Sequence, residues 1–373
     1  MTSRSLLKKI STIPDWKTRR RIVVIESDDW GSLRMPSMDA FKKLEEAGLD
    51  LHWDDAGRFN LNDNLATSED LERLFEVLSS VKDSRGNPAV FTPVSIVANP
   101  DFQKIRESGY KEYFLEPFTE TLKRFPGCEK AFERWKEGIE KGLFIPQMHG
   151  REHLNVIDWM QALQEGEDQT RTAFEQGVWG FKPSFRANLS FQAAFSRAEP
   201  QDLDFYRQVI AEGLQLFEEL FSYKAVFFVP PNGVLNNSLN RTLAGHGIKY
   251  RSGSRVQMEP AANNKLRRKL HYLGQKDRHG IRYIIRNCFF EPNQAGTNWK
   301  ARCLYEMDAA FREKKPAIIG SHRVNFIGAL SQKNREDGLL QLSELLKETV
   351  KRWPDVEFMT SAQLGALMDG EDI

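Results

Sequence analysis

Short runs of apolar residues, mostly β-branched or aromatic, recur along the chain and are separated by charged, amphipathic stretches. Several runs are too apolar to alternate between a buried and an exposed face, which is typical of strands covered on both sides. The pattern predicts strands at Arg21–Glu26, Ala89–Val97, Leu143–Met148, Ala225–Val229, Ile248–Arg251, Ile281–Arg286, Ala317–Ser321 and Val356–Thr360.

Amphipathic helices are predicted between these strands, the first of them capped by Thr67 or Ser68. Strand and helix alternate through the whole chain, which favours an α/β fold with a mainly parallel sheet, and seven or eight such units suit a barrel better than an open sheet. The predicted helices are Glu69–Val81, Leu203–Leu220, Ser238–Ala244 and Gly338–Val350.

Three segments are additional to the alternating strands and helices of the predicted core. They are the polar stretch His52–Asn64, the charged helical stretch 101–141, and the stretch 161–199. We expect all three to decorate one barrel of residues 21–373, with insertions at about 101–141 and 161–199. Residues 1–20 are basic and predict a short terminal helix, either solvated or lying on a membrane face or a partner.

Composition narrows the class of protein. Of 373 residues, 40% are hydrophobic and 28% are charged, as in folded globular proteins, and the formal net charge of +1 provides no field that would recruit nucleic acid. Three scattered cysteines predict reduced thiols, and no apolar run is long enough to span a membrane. From these features and the lack of a secretion signal we expect a cytoplasmic protein.

Asp28 and Asp29 follow the first predicted strand directly. Adjacent residues of a strand point to opposite faces, but a turn at the strand end can bring both carboxylates to one site. One carboxylate could then bind a metal while the other acts as a base. The alternative is a pair of solvated residues that cap the next helix.

His149 and His153 are separated by three residues, in a chain with only seven histidines. Neutral imidazoles at this spacing suit zinc, iron or cobalt, and with Asp29 they predict an Asp-His-His site. The same segment also matches the H-x-x-E-H pattern of inverted zinc proteases through Glu152. That pattern requires a helix, which Pro146 and Gly150 oppose.

Two further strand ends carry candidate chemistry. Pro230 and Pro231 stop one strand, and the fixed turn could present the backbone N–H of Asn232 to an oxyanion, although an ordinary loop would look the same. His322 ends another apolar strand, where a histidine is either catalytic or structural. All these candidates fall at the carboxyl ends of predicted strands, which share one face of a parallel barrel.

In the order of its motifs the chain resembles the polysaccharide deacetylases of carbohydrate esterase family 4, from about Arg21 to Leu367. The motifs are Ser27-Asp28-Asp29-Trp30-Gly31, His149-Gly-Arg-Glu-His153, Val229-Pro-Pro-Asn232-Gly233 and Gly320-Ser-His322. The resemblance implies a distorted (β/α)7-type barrel of the glycoside hydrolase/deacetylase superfamily with helical insertions.

By that resemblance Asp28 is the general base, His322 the proton donor, and Asp29, His149 and His153 hold one divalent metal. Zinc is expected first, with iron, cobalt or nickel as alternatives. The implied reaction is hydrolysis of an N-acetyl or O-acetyl group on a carbohydrate. We assign Asn232, Pro231, Trp30 and Arg186 to oxyanion or substrate binding.

The chain departs from the family where an arginine normally holds the catalytic aspartate, because Val229 occupies that position. Arg186 is a candidate replacement, and Arg286 and Glu291 are candidates for an unrecognised fourth motif. Aromatic residues of the insertions are expected to stack on sugar rings or to belong to the core: Trp135, Trp159, Trp179 and Phe185.

Two other hypotheses stay open. One is a metal hydrolase that cleaves a non-sugar amide. The other is a non-catalytic glycan-binding protein, for which the missing arginine would be the mark. The sequence predicts neither the sugar, nor the metal, nor the oligomeric state.

Overall fold

The computed structural model of the chain describes residues 14–53, 55–185, 189–263 and 265–373. Its strands are β1 (Arg21–Trp30), β2 (Phe91–Ile96), β3 (Ala98–Pro100), β4 (Leu115–Pro117), β5 (Gln147–Gly150), β6 (Phe227–Phe228), β7 (Tyr250–Gly253), β8 (Val256–Ala261), β9 (Lys265–Leu270), β10 (Arg282–Ile285), β11 (Cys288–Phe289), β12 (Ala317–His322) and β13 (Val356–Met359).

The α-helices alternate with these strands. They are α1 (Met38–Glu46), α2 (Ala56–Asn62), α3 (Ser68–Ser79), α4 (Phe102–Glu107), α5 (Phe118–Leu122), α6 (Ala131–Glu140), α7 (Val156–Glu165), α8 (Asp168–Glu175), α9 (Pro200–Phe221), α10 (Asn240–Gly245), α11 (Trp299–Arg312), α12 (Gln332–Arg352) and α13 (Ser361–Met368).

One parallel sheet organises the molecule. Its strands run in the order β10-β7-β6-β5-β2-β1-β12-β11. β13 pairs with the first part of β1 on the side opposite β12, before β2 begins to pair there. On one side of β1 the strands follow the order of the chain through β2, β5, β6 and β7 to β10. The order of the chain then continues from β11 through β12, which pairs with the other side of β1, as it would around a barrel. Within the described residues β10 and β11 are not paired, so the barrel is open between them. The predicted distorted α/β barrel is confirmed.

All eight predicted strands lie in this sheet, and β11 is the one member of it that the pattern missed. Two antiparallel hairpins, β3–β4 and β8–β9, were also not predicted. β3 and β4 have three residues each, β8 mixes apolar and polar residues, and β9 is exposed and basic, so none of them has the apolar run that marks a buried strand.

Helix ends agree with their local sequence. Thr67 and Asp70 form a reciprocal capping box at the start of α3, and Thr360 and Gln363 form another at the start of α13. The helix predicted at Ser238–Ala244 is a 3₁₀ turn followed by the short helix α10.

A second apolar core joins two segments that are distant in sequence. The main core lies under α3, α6, α9 and α12, whereas a second cluster joins residues 35–51 to residues 154–191 around Trp159 and Phe174. This second cluster fixes the segment that follows β5 on the barrel.

Part of the amino-terminal prediction lies outside the described residues, namely 1–13, and residues 14–20 form no helix. Cys128, Cys288 and Cys303 are free and buried, as expected. Among the described residues, no helix combines the length and the apolar character that crossing a membrane requires.

Candidate metal centre and acid–base pair

The end of β1 turns both aspartates into one site. The register between β1 and β2 shifts between Ser27 and Trp30, and Asp29 adopts a left-handed backbone with φ of 73°. Such a conformation is uncommon for a residue other than glycine and is concentrated at functional sites. Gly31 completes the turn at φ of 86°, where a Cβ atom would lie 2.6 Å from the Ile96 carbonyl oxygen.

Asp29, His149 and His153 come together, and their candidate ligand atoms all lie within 4.8 Å of one another. Asp29 Oδ1 is 3.4 Å from His149 Nε2 and 3.3 Å from His153 Nε2. Burial raises the pKa of Asp29, but the two imidazoles outweigh burial and hold the pKa well below its usual range. The carboxylate is therefore ionised.

The histidine nitrogens fit a metal. His149 Nδ1 lies 2.7 Å from the Val229 carbonyl oxygen, so Nδ1 carries the proton and Nε2 presents a lone pair. His149 Nε2 is buried without a hydrogen-bond partner in the described part of the chain, as a ligand atom awaiting a metal would be. In His153 the buried nitrogen without a partner is Nδ1, while Nε2 lies 3.3 Å from Asp29 Oδ1. Burial lowers the pKa of His153, against the raising effect of Asp29, which favours the neutral imidazole that a metal requires.

The His149–His153 segment is not a helix. β5 ends at Gly150, and His153 lies in the loop that precedes α7. Glu152 forms two hydrogen bonds with the Arg151 guanidinium, of 2.6 and 2.8 Å, and does not line the cavity at this site. The inverted-protease hypothesis, which requires a helix, is therefore wrong for this segment.

The insertion after α8 supports the second imidazole. Trp179 stacks on the His153 ring at 6.0 Å between centroids, and its Nε1–H donates to the Leu33 carbonyl at 3.0 Å. Trp135, Trp159 and Trp179 are at most 2% exposed, so they belong to the core and are not available to stack on a sugar.

Asp28 is held by Arg286. The guanidinium donates two hydrogen bonds of 2.6 Å to the Asp28 carboxylate, and its Nε–H donates to Glu26 at 2.7 Å. Glu26 is fully buried on the same side of β1 and also accepts from the hydroxyls of Ser252 and Ser361. Burial raises the pKa of Asp28, but the Arg286 guanidinium outweighs burial and lowers the pKa below its usual value, so the Asp28 carboxylate is ionised.

Arg286 provides the positive charge beside Asp28 that Val229 cannot provide. Arg286 follows β10, at the opening between β10 and β11, and reaches Asp28 from there. The charge that we assigned to Arg186 is supplied by Arg286, and Arg186 itself lies outside the described residues.

His322 lies opposite Asp28 in the register between β1 and β12. Its Nε2 is 4.0 Å from Asp28 Oδ2, and its Nδ1 is 2.6 Å from Glu291 Oε1. Burial lowers the pKa of His322, but Glu291, Asp29 and Asp28 raise it more, to about 9. The imidazolium form therefore persists at neutral pH, as a proton donor requires.

One cavity of about 600 Å³ is lined by Asp28, Asp29, His149, His153 and His322. Asn232 and Gly233 also line this cavity. Asn232 has φ of 54° in a 3₁₀ turn. Two other residues that we assigned to substrate binding do not line this cavity. Pro231 is buried against Gly150 and does not line the cavity, and Trp30 is 1% exposed in the core, with its Nε1–H on Ser27.

Arg34 and Arg58, which line the cavity, escaped the sequence analysis because nothing in their local pattern marks them. Glu26 does not line the cavity but supports it from below through Arg286. Glu26 could have been found as an acidic residue two positions before Asp28 in an otherwise apolar strand. The cavity aromatics come from elsewhere than expected: Trp53, Phe59 and Phe289 line it, and Phe185 does not.

No protein-family model matches the sequence, and no curated protein matches it significantly. Solved structures do resemble the fold at low identity. A probable polysaccharide deacetylase from Pseudomonas aeruginosa PAO1 is 11% identical, with a TM-score of 0.48 and 99% of each chain covered. PuuE allantoinase is 11% identical, with a TM-score of 0.47 and coverage of 98% of this chain and 96% of that one.

A third similar structure is a mutant of a pseudoenzyme of carbohydrate esterase family 4, 10% identical, with a TM-score of 0.37 and coverage of 96% of this chain and 73% of that one. At such identities the neighbours differ in activity while resembling the same barrel. The functional proposal therefore rests on the geometry of the site.

Proposed function

We propose that this chain is a metal-dependent hydrolase that removes an N-acetyl group, or an O-acetyl group, from a saccharide. The observation that carries the proposal is the pairing of Asp28 with His322 across adjacent strands, in the cavity that also holds Asp29, His149 and His153. An ionised carboxylate and an imidazolium thus face one another beside three metal-ligating side chains.

The metal would be held by Asp29 and the Nε2 atoms of His149 and His153. When bound, a divalent cation would supply Lewis acidity toward the acyl oxygen and toward water. Zinc is our first expectation, because imidazole and carboxylate are among its usual ligands; iron, cobalt and nickel suit the same donors.

The protein's own groups divide the proton transfers. Water adds to the acyl carbon, and Asp28 accepts the proton that the water loses. The C–N bond then breaks as His322 donates its proton to the leaving nitrogen, which yields acetate and a free amine. The backbone N–H of Asn232 would donate to the oxyanion formed on the acyl oxygen.

The observation that suggested a non-catalytic glycan-binding protein is accounted for by this arrangement. That alternative was based on the missing arginine at Val229, whereas Arg286 holds Asp28 with two hydrogen bonds. A cavity with an ionised base and a charged acid favours turnover over binding alone.

The test is release of acetate from N-acetylated oligosaccharides by the purified, metal-loaded protein. We expect Asp28→Asn to lower the rate by at least about 10³-fold, because the base is lost while the shape of the side chain is kept. Asp55→Asn, which removes another carboxylate lining the cavity, should retain most of the rate.

Undiminished release by Asp28→Asn would contradict the base assignment. If the wild type releases no acetate from any sugar but hydrolyses simple amides in an Asp28-dependent way, the reaction class stands and the sugar assignment is wrong.

A further inference from the structure

Arg34 is a buried cavity residue with an unused hydrogen-bond donor. It lines the same cavity as the acid–base pair and is 6% exposed. Its Nε–H donates to Asn60 Oδ1 at 3.2 Å, while its Nη2 is buried without a partner in the described portion of the protein. A buried guanidinium donor without an acceptor is costly, and in native proteins such a group calls for a specific partner.

The charges around Arg34 do not balance. Arg323 is fully buried behind the cavity and donates from Nε and Nη2 to a single oxygen of Asp63, at 3.0 and 2.8 Å. Its own Nη1 also lacks a partner among the described residues. Asp63 is thus hydrogen-bonded by Arg323 and attracts Arg34 only at longer range. Arg34 therefore carries its positive charge in a region of low dielectric constant without a hydrogen-bonded carboxylate among the described residues.

The other arginines of the cavity are neutralised. Arg286 is bound by Asp28 and Glu26, Arg58 by Asp55 and Glu291, and Arg255 by two hydrogen bonds to Asp15. Among the described lining residues, Arg34 is therefore the arginine without a hydrogen-bonded carboxylate. The Asp29 carboxylate attracts Arg34 at longer range, but a cation bound by Asp29 would neutralise that carboxylate.

We propose that Arg34 binds a carboxylate carried by the substrate, so that the preferred substrate is an acidic N-acetyl sugar rather than a neutral one. This inference rests on the proposed function, since the cavity that takes the acetyl group is the one that Arg34 lines. A planar carboxylate fits the guanidinium group and neutralises the excess charge, which the hydroxyl groups of a neutral sugar cannot do.

The experiment compares each acid with its own methyl ester, which keeps the shape and removes the charge. The probes are N-acetylmuramic acid and 2-acetamido-2-deoxyglucuronic acid, whose carboxylates lie at different distances from the acetamido group. Binding is measured by calorimetry with the Asp28→Asn protein, in which hydrolysis is blocked, both with and without added zinc.

We expect at least one acid to bind about 10-fold or more tightly than its ester, as a charge-assisted hydrogen bond implies. Adding Arg34→Gln should reduce that ratio to within about 2-fold, whereas Arg34→Lys, which keeps the charge, should retain part of it. Arg255→Gln, which removes an arginine already paired with Asp15, is the matched control and should leave the ratio unchanged.

Equal binding of both acids and their esters would overturn the inference, and so would an acid preference that survives Arg34→Gln. Near-UV circular dichroism checks that each variant is folded, and the lysine variant decides the matter should the glutamine variant fail to fold. Acetate release by the wild type is scored separately. An Arg34-dependent acid preference without acetate release would refute the proposed reaction and leave the carboxylate site standing.

Discussion

Asp28 and His322, on one side of the cavity, each form hydrogen bonds with a charged protein partner. His149 and His153, on the other side, each bury a nitrogen atom without a hydrogen-bond partner in the described part of the chain. Arg286 and Glu291 fix the charge of the acid–base side within the protein. On the ligand side, the Val229 carbonyl holds the His149 ring in position and the Trp179 ring stacks on the His153 ring.

The difference indicates what each side requires. The acid–base side is complete within the chain, so its protonation states follow from its own hydrogen bonds. In our proposal a cation completes the ligand side, because Asp29, His149 and His153 converge there and His149 Nε2 has no hydrogen-bond partner among the described residues. Substitutions on the two sides should therefore fail in different ways.

The largest effect is expected on the ligand side. His149→Ala should abolish stoichiometric metal binding and lower acetate release by at least about 10³-fold, because one of the three proposed metal ligands is lost. Metal content of the dialysed protein and the rate of acetate release are the measurements. His246→Ala removes an exposed histidine and should retain one metal per chain. Full metal content in His149→Ala would show that His149 is not a ligand.

On the acid–base side, the next effect concerns stability as much as rate. Arg286→Met leaves Asp28 and Glu26 buried without their cation, which should cost about 3–5 kcal/mol of unfolding free energy. Urea denaturation measures this loss, and Arg312→Gln, at an exposed arginine, should be near neutral. Metal binding should persist in Arg286→Met if the two sides are independent. A stability equal to that of the wild type would contradict the assigned role of Arg286.

The pH dependence of the acid–base side gives a smaller, directional effect. Activity should fall as the pH rises through about 9, where His322 loses its proton, or somewhat lower when a cation offsets Asp29. Glu291→Gln removes a charge that raises the pKa of His322, so this alkaline limb should move to lower pH. Glu336→Gln, on the surface, should not move it. An unchanged limb in Glu291→Gln would refute the pairing.

The same pKa shift has a consequence for folding. The folded pKa of His322 is raised above its unfolded value of about 6.5. The stabilisation from its partners is therefore complete below about pH 6.5 and is lost as the pH rises through about 9.

The smallest effect is a thermal shift on the ligand side. A chelator should lower the melting temperature of the wild type by a few degrees, because a metal that binds only the folded state stabilises it by about 2.7 kcal/mol at 100 times its Kd. His149→Ala should show no such shift. A shift of equal size in that variant would place the metal elsewhere.

The sequence predicted the barrel and the convergence of the site because both depend on local patterns. Apolar runs mark strands that are covered on both faces, and polar residues just after them mark the face where parallel strands end. Asp28, Asp29, His149, Asn232 and His322 all follow from that reasoning, and all line the cavity.

What the sequence could not predict depends on distance across the barrel. Arg286 reaches Asp28 from the end of β10, across the barrel from β1, and no local pattern encodes that contact. Trp135, Trp159 and Trp179 were ambiguous because the same aromatic residue fits an apolar core or a platform for a sugar ring. Trp135 is buried in the main core, and Trp159 and Trp179 are buried in the second one. Arg34 was missed because a single arginine after a turn carries no signal by itself.

The most direct test of the central claim is the anomalous diffraction of crystals grown with zinc, recorded at the zinc absorption edge. The account predicts one strong peak between Asp29, His149 and His153, within bonding distance of the Nε2 atoms of both imidazoles. A peak elsewhere, or no peak while these three side chains hydrogen-bond directly to one another, would contradict it.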